Sequence, residues 1–236
     1  MKFVTFASFK GGAGKTTALM ACASAFLTRG KKVALFEADN NDPLRTWRDN
    51  AREIGTWDEA VGIFDAYDEK TLETSYEAAT GQGFEYALLD SRGGDSELNT
   101  TAILNANMVL IPTSLTPIDI EFVIRTLRFA VHAMKEADVT VPVACLLTQV
   151  PNASKQKASE KQSIEILSKL PTMTAQLAER GAFADLFANG LLHLHHAALL
   201  GNPAKKIAAS HTDVALKEAQ ALADEIMEAV AEERAA

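Results

Sequence analysis

A chain of 236 residues, 47% hydrophobic and 23% charged, is long enough to bury a substantial core in one generous domain. Lys+Arg 23 against Asp+Glu 31 gives a net charge of -8, which excludes a surface coated in basic charge but not a local basic patch. No apolar run reaches the ~18 residues of a membrane span, and Cys22 and Cys145 sit singly in apolar stretches, so a cytoplasmic protein with buried, reduced thiols is expected.

In chain order, short apolar runs alternate with longer helical stretches. Phe3–Ala7 predicts a buried strand, and Thr16–Arg29 a helix closed by Gly30. Val33–Phe36 predicts a second strand, and Pro43 opens a helix through Arg52, since proline suits a first helical turn. Val61–Phe64 is a candidate strand and Glu69–Ala79 a helix. Tyr86–Leu89 and Met108–Ile111 are clear strands, the first ending at Asp90 and the second at Pro112. Asp119–Lys135 is a helix with Ile120, Val123, Ile124, Leu127 and Val131 at helical spacing, and Val141–Leu147 is a further strand. After Pro151 the signal weakens: Ser154–Leu170 reads as polar helix and Thr172–Leu200 as mixed short elements. Ala204–Glu233 reads as a long helix with Leu216, Ala219, Ala223, Ile226 and Val230 in a stripe. Connections this long and helical cannot be hairpins. The fold class is therefore α/β, a doubly wound, mostly parallel twisted sheet with helices on both faces, in a single domain spanning 1–236.

The first strand leads into Ser8-Phe9-Lys10-Gly11-Gly12-Ala13-Gly14-Lys15-Thr16-Thr17, and a helix follows. Strand, glycine-rich turn and helix is the context a phosphate-binding loop requires. Gly11, Gly12 and Gly14 let backbone N–H groups face inward, and the helix N-terminus adds its positive end. Lys15 is expected on the β- and γ-phosphates of a nucleotide, the Thr16 hydroxyl on Mg²⁺, and Thr17 near the α-phosphate. The loop departs from G-x-x-x-x-G-K-[ST] at its start, where Phe9 replaces the first glycine and Lys10 adds a second lysine. Such a loop also needs carboxylates to hold magnesium and order water. Asp90, Asp39 and Glu37 lie at strand ends that a parallel sheet gathers beside the loop. Glu37 is left open between a site carboxylate and a solvated one. So is Arg92, between sensing a phosphate or partner and pairing with Asp95.

Lys10-Gly11-Gly12-Ala13-Gly14-Lys15-Thr16-Thr17 resembles the deviant Walker A motif of the ParA/MinD family of ATPases, which lacks the first glycine and carries the extra lysine. Asp39 matches the family's water-positioning aspartate, and Asp90 its magnesium-associated one. Leu110-Ile111-Pro112 resembles the strand that follows. The family's D-x-D-P-Q is replaced by Glu37-Ala38-Asp39-Asn40-Asn41, and its paired prolines after the Asp90 position by Ser91-Arg92-Gly93-Gly94. Pro43–Arg48, Gly93–Asn99 and Leu191–Leu194 resemble a ParA-type subgroup of alphaproteobacterial plasmids that includes VirC-type proteins of T-DNA transfer.

The resemblance implies an ATP hydrolase with a weak, partner-stimulated rate. It implies an ATP-bound homodimer in which Lys10 reaches the nucleotide of the other chain, much as an arginine finger does. It implies non-specific DNA binding, a ParB-like or relaxosome-type activating partner, and nucleoid association in the cytoplasm. Candidate DNA contacts are Arg125 and Arg128 on one helix, Lys155, Lys157 and Lys161 after Pro151, and Lys205 and Lys206 before the last helix. A MinD-like membrane-positioning ATPase is the rival reading. It needs a basic amphipathic tail, whereas Glu225–Glu233 is acidic, so no membrane is expected. A metabolic ligase or reductase on the same scaffold lacks any marked substrate pocket or surface cysteines.

Overall fold

The computed structural model describes residues 1–232. The described residues form six strands: β1 (Lys2–Phe6), β2 (Val33–Glu37), β3 (Val61–Asp65), β4 (Tyr86–Asp90), β5 (Met108–Thr113) and β6 (Val143–Leu147). They make one sheet in the order β3-β2-β4-β1-β5-β6, and every pairing is parallel. The helices are α1 (Lys15–Thr28), α2 (Pro43–Glu53), α3 (Glu69–Gly81), α4 (Glu97–Leu104), α5 (Pro117–Ala137), α6 (Ala158–Leu167), α7 (Gly181–Ala184), α8 (Leu186–Asn189), α9 (Leu192–Leu200) and α10 (Lys206–Glu232).

Alternation along each strand sends side chains to opposite faces. Val4, Phe6, Leu35, Leu88 and Leu110 meet α1, α2 and α7–α10 in one core, whereas Phe3, Phe36, Leu89, Val109 and Ile111 meet α3–α6 in the other. β1 is central, between β4 and β5, with Phe6 in register with Asp90 and with Leu110. The carboxyl ends of β1, β2 and β4 therefore converge, which is where open α/β sheets place their ligands.

The predicted elements are found within a few residues, with informative differences. β6 begins at Val143, because Pro142 has no N–H to donate, although its carbonyl accepts from the Val109 N–H at 2.8 Å. Helix α4 fills a stretch the sequence reading leaves without an element. Ser96 caps it by accepting from the Asn99 N–H at 3.2 Å. The stretch predicted as helix from Ser154 divides into a 3-10 turn, Ala153–Lys155, and α6. A second 3-10 turn, Pro203–Lys205, precedes α10, and Glu233 lies outside the described residues. Cys22 and Cys145 are both buried and free.

Candidate nucleotide site

The chain leaves β1 and turns back into α1 through the glycine loop. Gly12 and Gly14 hold φ values of 80° and 83°, left-handed conformations that favour glycine. Gly14 is also hemmed in: a Cβ there would lie 2.8 Å from Thr148 Oγ1. That hydroxyl donates to the Ala13 carbonyl at 3.0 Å, tying the loop to the end of β6. Gly14 is the N-cap of α1 and offers no side chain to its free amides, and no acidic residue occupies the first turn. The N-terminus of α1 is thus left for an anion. Gly11 and Gly12 are exposed, Ala13 is buried, and Lys15, Thr16 and Thr17 line the loop half-buried.

Asp90 ends β4 beside this loop. The Thr16 hydroxyl donates to its Oδ2, while its buried Oδ1 has no hydrogen-bond partner. Burial pushes the Asp90 carboxyl up; the Thr16 hydrogen bond and the Lys15 charge oppose that, and the Asp39 charge adds to it. A buried oxygen without a partner, next to a loop hydroxyl, fits a hard divalent cation held by oxygen ligands. Asp39 is exposed after β2, and its Oδ1 accepts from the Asn41 backbone N–H at 2.9 Å and from Asn41 Nδ2 at 3.0 Å. Glu37 is neither solvated nor free. It is buried, accepts from the Leu44 N–H at 2.6 Å, and braces the start of α2. Arg92 does not pair with Asp95. Its guanidinium donates to the Ala38 carbonyl and, at 2.6 Å, to Asn40 Oδ1, joining the loop after β4 to the one carrying Asp39.

The two residues that set this loop apart are both moored to α5. The Phe9 N–H donates to Thr126 Oγ1 at 3.2 Å. Its ring lies 4.7 Å under the Arg125 guanidinium and meets Phe129 edge-on with centroids 5.3 Å apart. Lys10 Nζ pairs with Asp119 Oδ1 in the first turn of α5. Sequence reasoning placed Asp119 at a helix start and gave it no role. Its T-x-x-D spacing after Thr116 marked a cap, but nothing local marked a partner 109 residues away.

Beside Gly14 and Thr17 a pocket of about 260 Å³ opens, lined also by Thr148, Gln149, Leu177, Arg180 and Phe183. Thr148, Gln149 and Val150 follow β6 directly. The first two line the pocket, while Val150 pairs its backbone with Leu177 and Glu179. Arg180 is held by Glu218 of α10 at 2.5 Å.

A family model described as "VirC1 protein" matches residues 1–232. The chain belongs to the VirC1 family. Among curated relatives of the VirC1 family, Protein virC1 of Rhizobium radiobacter is 41% identical over 218 residues, covering 92% of this chain and 94% of that one. Protein ParA of the same organism is 26% identical over 192 residues, covering 80% and 84%. Among solved structures, the ATP complex of a McdA variant from Cyanothece superposes with a TM-score of 0.64 at 18% identity, covering 93% of this chain and 96% of that one. The VirC1-family chain thus has the α/β fold of ParA-type nucleotide-binding proteins.

The basic residues singled out from the sequence are not gathered into one patch of this VirC1-family fold. Arg125 and Arg128 lie on α5, with Lys155 in the turn before α6, Lys157 at its N-cap and Lys161 within it, all on one helical layer. Lys205 and Lys206 lie at the start of α10, on the other layer, and both are exposed. No helix among the described residues is long and apolar enough to cross a membrane.

Proposed function

We propose that the chain is a single ATPase domain that dimerises on ATP, binds DNA non-specifically, and is switched off when a partner protein stimulates hydrolysis. The observation that carries this reading is the buried, unpartnered Oδ1 of Asp90 beside Thr16, beneath a loop that presents Lys15 and the free N-terminus of α1. These groups suit a triphosphate with its magnesium ion. Gly11, Gly12, Ala13 and Gly14 supply the backbone cradle, Lys15 and Thr17 contact phosphates, and Thr16 and Asp90 hold the metal. When bound, magnesium neutralises phosphate charge. Asp39 orients the attacking water once it releases Asn41. Lys10 completes the site of a second copy.

The 41% identity to a virC1 protein across nearly the whole of both chains, against 26% to ParA, favours a role in DNA transfer over plasmid partition. The membrane-positioning alternative is opposed by α10. Leu216, Ala219, Ala223, Ile226 and Val230 are all buried in the core that α10 shares with α1 and α9, so its apolar stripe is already used. Glu225 accepts from the Thr174 and Ala175 N–H groups, both at 2.8 Å.

Sizing by light scattering tests the switch. The wild type is expected to be monomeric with ADP or no nucleotide and dimeric with ATP. Lys10→Ala should stay monomeric, and Asp39→Ala should be trapped as a dimer. A dimer equally abundant without nucleotide overturns the proposal.

A further inference from the structure

Lys10 is neither free in solvent nor directed at its own chain's phosphate site. Its ammonium sits on Asp119 Oδ1, and the two partners differ in burial: the lysine side chain is 33% exposed and the aspartate 8%. The carboxylate is fixed from its other side. Its Oδ2 accepts from the Ser114 hydroxyl and, at 2.7 Å, from the Thr116 hydroxyl. Thr116 in turn accepts from the Asp119 N–H at 3.3 Å, a reciprocal cap at the start of α5. Burial raises the Asp119 pKa, but the hydrogen bonds from Lys10, Ser114 and Thr116 outweigh it and hold the group below the usual carboxylate range. The Asp119 carboxylate therefore keeps both of its hydroxyl donors if Lys10 leaves.

The backbone of the loop is pinned independently of that pair. The Phe9 N–H is held by Thr126, and the Lys10 N–H and carbonyl both bond to the Ser8 hydroxyl, at 3.1 and 3.2 Å. Lys10 can thus exchange partners by rotating its side chain alone, from the solvent edge of the pair.

We infer that Asp119 is a positioning residue that competes with nucleotide for Lys10: it retains the lysine on its own chain until a triphosphate on a second copy of this chain draws it away. This rests on the ATP-dependent dimer proposed above. The competition sets a threshold. A γ-phosphate carries more charge than the carboxylate and offers several acceptor oxygens, so it wins the lysine, while ADP does not present that group. Removing the competitor should strengthen the ATP-bound dimer and leave the ADP form monomeric.

Two readouts test this. The first is the dimer dissociation constant with a non-hydrolysable ATP analogue, by light scattering over a dilution series. Asp119→Asn is expected to tighten the dimer tenfold or more, and Lys10→Ala together with Asp119→Asn to lose that gain. The second is the rate of Lys10 acylation in nucleotide-free monomer, read by mass spectrometry. Lys10 should react several-fold faster in Asp119→Asn than in wild type, while Lys15 is unchanged. Asp119→Ser, which can still take part in the hydroxyl cluster at the cap, serves if Asp119→Asn does not fold. If wild type does not dimerise with the analogue, the proposed function fails and the acylation rates alone decide whether Asp119 holds Lys10. If wild type dimerises but the Asp119 variants dimerise no more tightly, or if Lys10 reactivity is unchanged, the inference is overturned.

Discussion

One methyl group at position 14 is enough to damage the phosphate loop, for two separable reasons. The φ of 83° costs any residue with a Cβ about 1 to 2 kcal/mol. The added carbon would also stand 2.8 Å from Thr148 Oγ1, which cannot retreat without losing its bond to Ala13. Gly14→Ala should weaken nucleotide binding at least tenfold in a titration with a fluorescent ATP analogue, with the circular dichroism spectrum of the wild type retained. Position 9 shows the converse. Phe9 is not among the left-handed residues, so no glycine is needed there, and the side chain is free to anchor the loop on Arg125 and Phe129. The apparent defect in the motif is the loop's attachment to α5.

At the scale of elements, Glu37 couples a strand to a helix. It ends β2 as a buried carboxyl and accepts from the N–H groups of Leu44 and Asp39, at 2.6 and 3.4 Å. Burial pushes its pKa from 4.5 up to about 7, against the pull of those two hydrogen bonds. Between these values the folded chain holds a proton that the unfolded chain has released. The stabilisation from Glu37 is therefore fully present below about pH 4.5 and is lost as the pH rises through about 7. A shift of this size corresponds to about 3 kcal/mol. In urea titrations across that window, Glu37→Gln should remove most of the fall in stability that wild type shows. An unchanged pH slope would mean that the group is ionised throughout. The same element scale shows what the sequence reveals. β1, α1, β2 and β4 were legible because apolar runs, glycines and capping residues sit within a few positions of one another. Helix α4 was not, although Ser96 and Glu97 open it in the usual way, since it has only eight residues and follows a glycine pair. The Lys10–Asp119 pair, the Arg92–Asn40 bridge and the wall of the pocket formed by Leu177, Arg180 and Phe183 were not legible either. Each joins segments that only the strand order brings together.

The whole molecule is acidic, with a net charge of -8, so any DNA contact must be local and must overcome a repulsive background. Its basic candidates are split between the two helical layers, and they are not equivalent. Arg125 is engaged over Phe9, and Lys157 caps α6 beside Glu160, whose carboxylate accepts from its N–H at 2.7 Å. Lys205 and Lys206 differ. Both are exposed, and they enter a 27-residue helix whose first turn contains no acidic residue, so their charges and the helix dipole have the same sign. One chain offers only this pair at that point, whereas a dimer offers it twice. DNA binding should therefore depend on the ATP-bound dimer and on salt. Each phosphate neutralised on duplex DNA contributes a slope of about -0.9 in log K against log salt. Replacing both lysines by glutamine removes four cations from a dimer, so the slope should become shallower by about 3 to 4. Arg128→Gln, on the other layer, should change it little. The measurement is fluorescence anisotropy of a labelled duplex with the ATP analogue across a salt series. If Arg128→Gln flattens the slope and the double lysine variant does not, the contact surface belongs to α5 instead. Binding equally strong without nucleotide would separate DNA contact from dimerisation altogether.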